Sequence, residues 1–266
     1  MIGAARPARV VSAAALVFAS CTGSTSSPSV RSARTTPGAA AVSPNPPTSG
    51  RCANLYEPVV EGTVWTYHTT ADTAGNVRSI ELAVDTRRVR RDGFRIVTSV
   101  PGGSFPVDWR CVNEGLVQSD LGDLTPGGPR SLFRVTRVVG VTIPAGDFRG
   151  RNWRQSYSLA GSLTAAGQRA AYAGSAVVRF VAGDRAESVD VPAGTYDALM
   201  VYSDMVARLR LSVAGRNVPL ALQDERHSWY VRGVGMVKQV SDATIGFAHV
   251  QITMLLSDVT GLGQSF

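Results

Sequence analysis

The chain has 266 residues, 44% of them hydrophobic, and a formal net charge of +7. This length and composition suit one or two folded domains with a sizeable buried core. The positive charge comes from one lysine and otherwise from arginines spread along the chain, a distribution too diffuse to indicate a nucleic-acid-binding surface. No cofactor or metal is expected, because His68, His227 and His249 stand at no spacing typical of metal ligands.

Residues 1–20 have the pattern of a bacterial lipoprotein signal peptide. Two arginines precede a short apolar run, Val10 to Ala19, which leads into Phe18-Ala19-Ser20-Cys21. The run is too short to span a bilayer as a helix of the mature protein. The segment resembles a lipobox, so we expect Cys21 to carry the lipid, although Phe18 stands where leucine is usual. Ordinary signal cleavage near Ala19, with Cys21 incidental, is the alternative.

The number of cysteines supports this interpretation. With Cys21 assigned to lipid, Cys52 and Cys111 remain as an even pair in an oxidising compartment. A disulfide between them closes a loop of about sixty residues, which stabilises the fold by about 4 kcal/mol on the chain-entropy model. The alternative is two free or metal-binding thiols, but no further ligands stand at suitable spacing.

Residues 21–50 form a lipid-anchored linker rich in Ser, Thr, Pro and Ala. It has too few apolar side chains to fold and is expected to be disordered. The sequence therefore divides into a signal peptide at 1–20, this linker at 21–50 and one β domain at 51–266. We expect the mature protein to be a monomer that is anchored to the extracytoplasmic face of the cell membrane.

Apolar and polar residues alternate through most of the β domain, beginning with Thr63 to Thr69. Asp92-Gly93 is a strong hairpin signal. Leu163 to Tyr172 allows either a short helix or a hairpin tip, and Ala176 to Val181 and Ser188 to Val191 are expected as separate strands. No segment has a convincing helical period. About a dozen strands predict a mostly β fold: a single antiparallel, strongly curved sheet, half-barrel or sandwich.

Two Pro-Ala-Gly turns mark the second half of the chain. Val141 to Phe148 and Val189 to Tyr196 each indicate strand, tight turn and strand, because proline fixes φ and glycine accepts positive φ. Phe148 and Tyr196 are then expected to open the next strand. The flanking strands match poorly, so recurring turn chemistry is favoured over an internal duplication.

Three motifs occur in a fixed order: Glu61 to Tyr67, Val191 to Ala198 and Trp229 to Lys238. Together they resemble a family of bacterial envelope proteins of uncharacterised function, commonly secreted proteins or lipoproteins. Those proteins tend to carry G-x-x-W-x-Y, then P-A-G-T-[FY], then W-[FY]-x-x-G-[VI]-G-x-V-[KR]. The resemblance covers most of residues 55–240. It implies a curved antiparallel sheet related to the half-barrels of lipoprotein carriers, and it implies no catalytic residues.

Aromatic side chains are the candidate ligand-binding residues. Under a curved sheet they could line a cavity for an apolar or lipid ligand, whereas the alternative is that they simply fill the core. This candidate set is Trp65, Tyr67, Trp109, Trp153 and Trp229.

The one dense basic patch lies in Thr86 to Gly93. Its arginines are candidate contacts to the phosphate or carboxylate groups of envelope polymers or lipids. The alternative is a solvated hairpin tip that protects a strand edge from aggregation. The four arginines are Arg87, Arg88, Arg90 and Arg91.

The sequence has no Gly-x-Ser-x-Gly elbow and no Ser-x-x-Lys motif. Asp224 to Ser228 contains acid, base and nucleophile, but neighbours on a strand point to opposite faces. We therefore expect a non-enzymatic envelope lipoprotein, a binding or structural module, whose narrower form is a carrier of an apolar or lipid ligand. The alternative is a hydrolase of envelope polysaccharide or cell wall, which would need two convergent carboxylates or a histidine cluster.

Overall fold

The computed structural model describes residues 50–121, 133–165, 168–213, 215–246 and 248–262. Cys21, the signal peptide and nearly all of the linker lie outside the described residues, so the expectations on them stay predictions. No helix in the described ranges has the length and apolar character needed to cross a membrane.

The regular structure of the described residues is entirely β, and its thirteen strands form one antiparallel sheet. The sheet is curled and not closed, which confirms the predicted fold class. The strands are β1 (Val64–Thr73), β2 (Asn76–Arg90), β3 (Gly93–Val100), β4 (Gly103–Val112), β5 (Gly115–Gln118), β6 (Val135–Val139), β7 (Ile143–Pro144), β8 (Asn152–Ala165), β9 (Gln168–Val191), β10 (Gly194–Val213), β11 (Arg216–Val231), β12 (Gly235–Ile245) and β13 (Ala248–Thr260).

Most neighbours in the sheet are also neighbours in sequence. The order is β6-β8-β9-β10-β11-β12-β13-β1-β2-β3-β4-β5-β7. The last strand, β13, pairs with β1 from Val64↔Thr260 onward. The beginning and the end of the β domain therefore lie side by side in the middle of the sheet.

The two edge strands, β6 and β7, are separated along the chain only by residues 140–142, so the curl must bring both edges together there. Thr142 links them. Its N–H donates to the Leu116 carbonyl of β5 at 2.8 Å, and its Oγ1 accepts from the Gln118 N–H at 2.8 Å. The Thr142 hydroxyl donates to Gln155 Oε1 of β8 at 3.0 Å. One residue thus joins β5 and β8, the strands that lie next to the two edges of the open sheet.

Three apolar clusters form the core of the described residues. The first joins the segment before β1 to β3, β4 and β5, and includes Tyr56, Trp109 and Phe148. The second lies along β8 to β11, and the third centres on β1 and β12 and includes Trp65. The predicted disulfide is present: Cys52 and Cys111, with Cα atoms 5.0 Å apart, tie the first segment to β4.

Pairing between strands decides two expectations that rested on local sequence. Leu163 to Tyr172 belongs to the β8–β9 hairpin, paired through Ala165↔Gln168, and contains no helix in its described residues. The prediction of two separate strands at 176–181 and 188–191 is wrong, because one continuous strand, β9, covers both stretches. Gly183 and its neighbours form a bulge, since β10 runs past them unbroken and pairs on both sides.

The two Pro-Ala-Gly copies fold differently. The second is the β9–β10 turn, as expected. The first does not open a strand at Phe148, because β8 begins only at Asn152. Asp147 Oδ1 accepts the Arg149 N–H at 3.1 Å, which bends the chain away from a strand path. The Phe148 ring is buried instead, 4.2 Å from the Tyr56 ring centroid.

Candidate functional site

A groove of about 340 Å³ opens where both Pro-Ala-Gly segments meet the end of β11. Three tyrosine rings line it, Tyr56, Tyr196 and Tyr230, and we call it the tyrosine groove. Its charged residues are Arg149, Asp197 and Arg232. The remaining lining residues are small or apolar: Ala186, Thr195, Leu199, Val231 and Val234.

The segment before β1 supplies Tyr56, and Asn54 fixes its backbone. The Asn54 side-chain oxygen accepts the N–H groups of Tyr56 at 2.9 Å and Glu57 at 3.1 Å. Its side-chain nitrogen donates to the Pro144 carbonyl at 2.9 Å. This buried asparagine therefore forms a tight turn and ties the segment to the first Pro-Ala-Gly copy.

Tyr56, Asp147 and Arg149 form a hydrogen-bonded set on one wall. The Tyr56 hydroxyl donates to Asp147 Oδ1 at 3.0 Å, and Arg149 Nε donates to Asp147 Oδ2 at 2.8 Å. Burial, strengthened by the Asp147 carboxylate, raises the pKa of Tyr56 to about 12. The hydrogen bonds from Arg149 are the main reason why the pKa of Asp147 falls to about 2. At neutral pH the tyrosine is therefore a neutral donor and Arg149 is already paired.

Trp65 and Tyr67 hold the turn between β11 and β12. The Trp65 indole N–H donates to the Val234 carbonyl at 2.6 Å, and the Tyr67 hydroxyl donates to the Met236 carbonyl at 2.8 Å. Both side chains are buried. Their polar atoms thus fix the backbone of the turn that presents Arg232 to the groove.

Arg232 carries the groove's second positive charge. Its side chain is exposed, and it forms no ion pair with another described residue. The neighbouring Gly233 N–H donates to the Leu55 carbonyl at 2.8 Å, which holds the turn against the segment before β1. Arg232 is therefore the groove's guanidinium with no carboxylate partner among the described residues.

The tyrosine groove is where the three ordered sequence motifs come together. The first motif supports the site through Trp65 and Tyr67, the second supplies Tyr196, and the third supplies Tyr230 and Arg232. The Trp65–Val234 contact spans 169 positions of sequence. The sequence feature that pointed to this site was the fixed order of the three motifs. That order did not indicate that the motifs meet at one groove.

The candidate aromatic residues lie in two separate apolar clusters, and none of the five lines the tyrosine groove. Trp109 stacks on Phe94 with ring centroids 5.7 Å apart, and Trp153 stacks on Phe180 at 5.0 Å, both against the first cluster. Trp229 packs on the third cluster with Trp65 and Tyr67, and its indole N–H donates to a glutamate. A ligand-binding role for these residues stays a prediction.

The four candidate arginines, Arg87, Arg88, Arg90 and Arg91, all lie exposed at the β2–β3 hairpin. The Arg87 side chain pairs with Asp85 at 2.5 Å. The hairpin predicted from Asp92-Gly93 is confirmed, and anionic contact by the arginines stays a prediction.

The described residues can be compared with two kinds of chemical site that the sequence raised, a metal centre and the acid, base and nucleophile set at Asp224 to Ser228. Nowhere in the described ranges do three or more His, Cys, Asp or Glu side chains come together as metal ligands. Asp224 is buried and engaged, because it accepts the Ser241 hydroxyl at 2.7 Å and Arg226 Nε at 2.6 Å. These two partners give its carboxylate a structural role.

No protein-family model matches the chain, and no curated protein matches it. Two solved structures are similar. One is a "putative lipoprotein" from Parabacteroides distasonis, with 18% identity, 79% of this chain and 99% of that chain covered, and a TM-score of 0.44. The other is a "putative exported protein with YmcC-like fold" from Bacteroides fragilis, with 17% identity, 78% and 100% coverage, and a TM-score of 0.44. Similarity at this level places the chain in no family.

Proposed function

We propose that this protein is a lipid-anchored, non-enzymatic binding protein of the cell envelope and that the tyrosine groove is its ligand site. The observation that carries the proposal is the convergence of Tyr56, Tyr196, Tyr230 and Arg232, which come from three separate segments of the chain. Flat apolar rings beside a guanidinium that has no carboxylate partner among the described residues suit a small amphipathic anion. Its carboxylate or phosphate would lie on Arg232 and its apolar body on the tyrosine rings.

The dimensions of the groove limit the ligand. A volume of about 340 Å³ lies at the lower end of the range for small-molecule sites. The three apolar clusters occupy the core, so the groove at the rim is a better site than the interior expected for a carrier. Asp197 on the same lining disfavours a second negative group. The proposed ligand therefore has one anionic end and a compact apolar part.

The probe for this site is 1-anilinonaphthalene-8-sulfonate, an aromatic anion whose fluorescence rises on binding. Arg232→Gln should weaken its binding by about 10-fold or more, because hydrogen bonds to a charged group contribute about 1.5–3 kcal/mol. Tyr196→Ser should also weaken it. The matched control is Arg208→Gln, an exposed arginine of β10 outside the groove lining. Equal affinity in wild type and the Arg232 variant would refute the site.

Native mass spectrometry tests for a natural ligand. Protein extracted from cells should carry a bound small molecule that is lost on delipidation and absent from the Arg232→Gln variant. If the extracted wild type carries none and the probe does not bind, the binding function is wrong.

The proposed anchor has its own test. Cys21→Ser should release the protein to the medium or leave an uncleaved precursor. If that variant fractionates like wild type and no acyl mass is found on the wild type, Cys21 does not anchor the protein.

A further inference from the structure

The chain enters the β domain beside the tip of the β2–β3 hairpin. Cys52, bonded to Cys111, is among the first described residues. Its Sγ lies 3.5 Å from the Arg90 carbonyl oxygen and 3.9 Å from that of Arg91. Residues 21–50 precede this point, so the end of the domain that holds the disulfide is the end from which the linker leads to Cys21.

Five exposed arginines surround this entry point. Arg51 precedes Cys52, and Arg110 precedes Cys111 and pairs in register with Gly93 of the hairpin. The hairpin adds the other three. We call the set the disulfide-end arginines: Arg51, Arg88, Arg90, Arg91 and Arg110.

The nearby carboxylates neutralise this set only in part. Arg87 pairs with Asp85, and Arg95 binds Asp108 through two hydrogen bonds of 2.7 and 2.8 Å. Those contacts occupy two other arginines, although the Asp108 carboxylate also interacts electrostatically with Arg88 and Arg90. Two further carboxylates lie close in sequence to these five arginines. Among the described residues of the connecting turns they are those of Asp92 and Glu114.

The backbone of the hairpin is shaped to expose these charges. A bulge interrupts the β2–β3 register between Arg87 and Arg90, and Arg88 has a φ of +53°. Positive φ is uncommon outside glycine, asparagine and aspartate, and it costs free energy. Val89 packs on the first apolar cluster while Arg88 and Arg90 are both exposed. The fold thus tolerates strain and like-charge repulsion where the linker joins the domain.

We propose that the disulfide-end arginines are a membrane-facing surface that binds the anionic headgroups of the lipids in the bilayer to which the protein is anchored. Guanidinium groups bind phosphate oxygens in a bidentate manner, and basic clusters next to a membrane anchor are attracted to anionic lipid. A linker of this length that is disordered, as its composition predicts, would have a root-mean-square reach of about 30 Å and would keep the bilayer at a high local concentration. Weak contacts are therefore sufficient.

This orientation has a consequence for the tyrosine groove, although the proposal does not depend on ligand binding there. Tyr56 lies in the same apolar cluster as Cys111. Docking of the disulfide end would therefore bring the wall formed by Tyr56 toward the bilayer surface, where small amphipathic anions partition.

The test is arginine footprinting of the full lipidated protein in vesicles. Phenylglyoxal labelling, read by mass spectrometry, is compared in phosphatidylcholine vesicles and in vesicles that also contain 30% phosphatidylglycerol. Anionic vesicles should slow labelling of the disulfide-end arginines about fivefold or more, and 0.5 M NaCl should remove the effect. Arg179, Arg208 and Arg210, exposed on β9 and β10, are internal controls whose labelling should not change.

A triple variant separates surface binding from a fault in the fold. Arg88→Gln with Arg90→Gln and Arg91→Gln should remove most of the protection of Arg51 and Arg110. The matched triple variant at the three control arginines, with the same change in charge, should keep it. The hairpin variant should still bind the fluorescent probe with wild-type affinity, so failure of this proposal and failure of the groove are distinguishable.

Equal labelling of the two arginine sets in anionic vesicles would overturn the proposal. Protection by soluble polyglutamate but not by anionic vesicles would also overturn it, because the surface would then belong to an envelope polymer.

Discussion

We expect Gly115→Ala to destabilise the fold more than Gly194→Ala, although the two glycines have nearly the same backbone conformation. Gly115 has a φ of +142° and Gly194 a φ of +138°. An L-residue held in such a region costs of order 1–3 kcal/mol. Backbone strain alone therefore gives similar losses at both positions.

The surroundings of the two glycines differ. A Cβ at position 194 meets only the Tyr196 ring, at 3.9 Å. A Cβ at position 115 would lie 2.1 Å from the Ile143 carbonyl oxygen and 2.8 Å from the Ala145 nitrogen. β7 would have to move away and give up its pairing with β5. Overpacking of this kind costs about another 1–3 kcal/mol, so we expect about 2–6 kcal/mol for Gly115→Ala and about 1–3 kcal/mol for Gly194→Ala.

Urea unfolding followed by tryptophan fluorescence measures both free energies. The difference of about 1–3 kcal/mol should also separate the two melting temperatures by about 2–12 °C for a domain of this size. Equal losses would refute the reasoning, because contact with β7 would then have no energetic effect. Gly194→Val should lose more stability than Gly194→Ala, since a branched side chain is stiffer. A fully stable Gly194→Val that lost binding would make this turn a ligand contact.

Three further outcomes follow from the contacts described. Reduction of the disulfide, or serine at both Cys52 and Cys111, should lower the free energy of unfolding by about 4 kcal/mol, measured in urea with and without reductant. Trp65→Phe should cost about 1–3 kcal/mol, because a buried carbonyl loses its donor, and it should also weaken probe binding by displacing the groove turn. The raised pKa of Tyr56 means that its contribution to stability is complete below pH 10 and is lost as the pH rises toward about 12. Asp147→Asn should lower that pKa, as followed by NMR of the tyrosine ring carbon.

Each of these three predictions would be contradicted by a specific result. A reduced protein as stable as the oxidised one would contradict the loop-closure estimate. Trp229→Phe is the control for Trp65→Phe, because its indole donates to the exposed side chain of Glu187 rather than to a buried carbonyl. Equal losses from the two substitutions would indicate lost packing alone. An unchanged Tyr56 pKa in Asp147→Asn would leave burial as the entire cause.

The sequence by itself determined the fold class, the disulfide and the second Pro-Ala-Gly turn. All three depend on local or simple constraints: the period-2 pattern of strands, an even pair of cysteines, and the φ preferences of Pro192 and Gly194. Predictions from local sequence were wrong where pairing with a neighbouring strand had the larger effect. Ala176 to Val181 and Ser188 to Val191 were expected as separate strands, yet β9 continues between them through a bulge at Gly183, because β10 supplies partners on both sides.

Only the tertiary structure decided where the candidate site lies. Tyr56, Tyr196 and Arg232 are far apart in sequence, and they meet because β13 returns to pair with β1 and the segment before β1 packs against two distant turns. In the same arrangement, the Trp65 indole N–H and the Tyr67 hydroxyl hold the turn between β11 and β12. Residue type alone gives no indication of such a role, because the partners of both side chains are backbone carbonyls, which every residue carries.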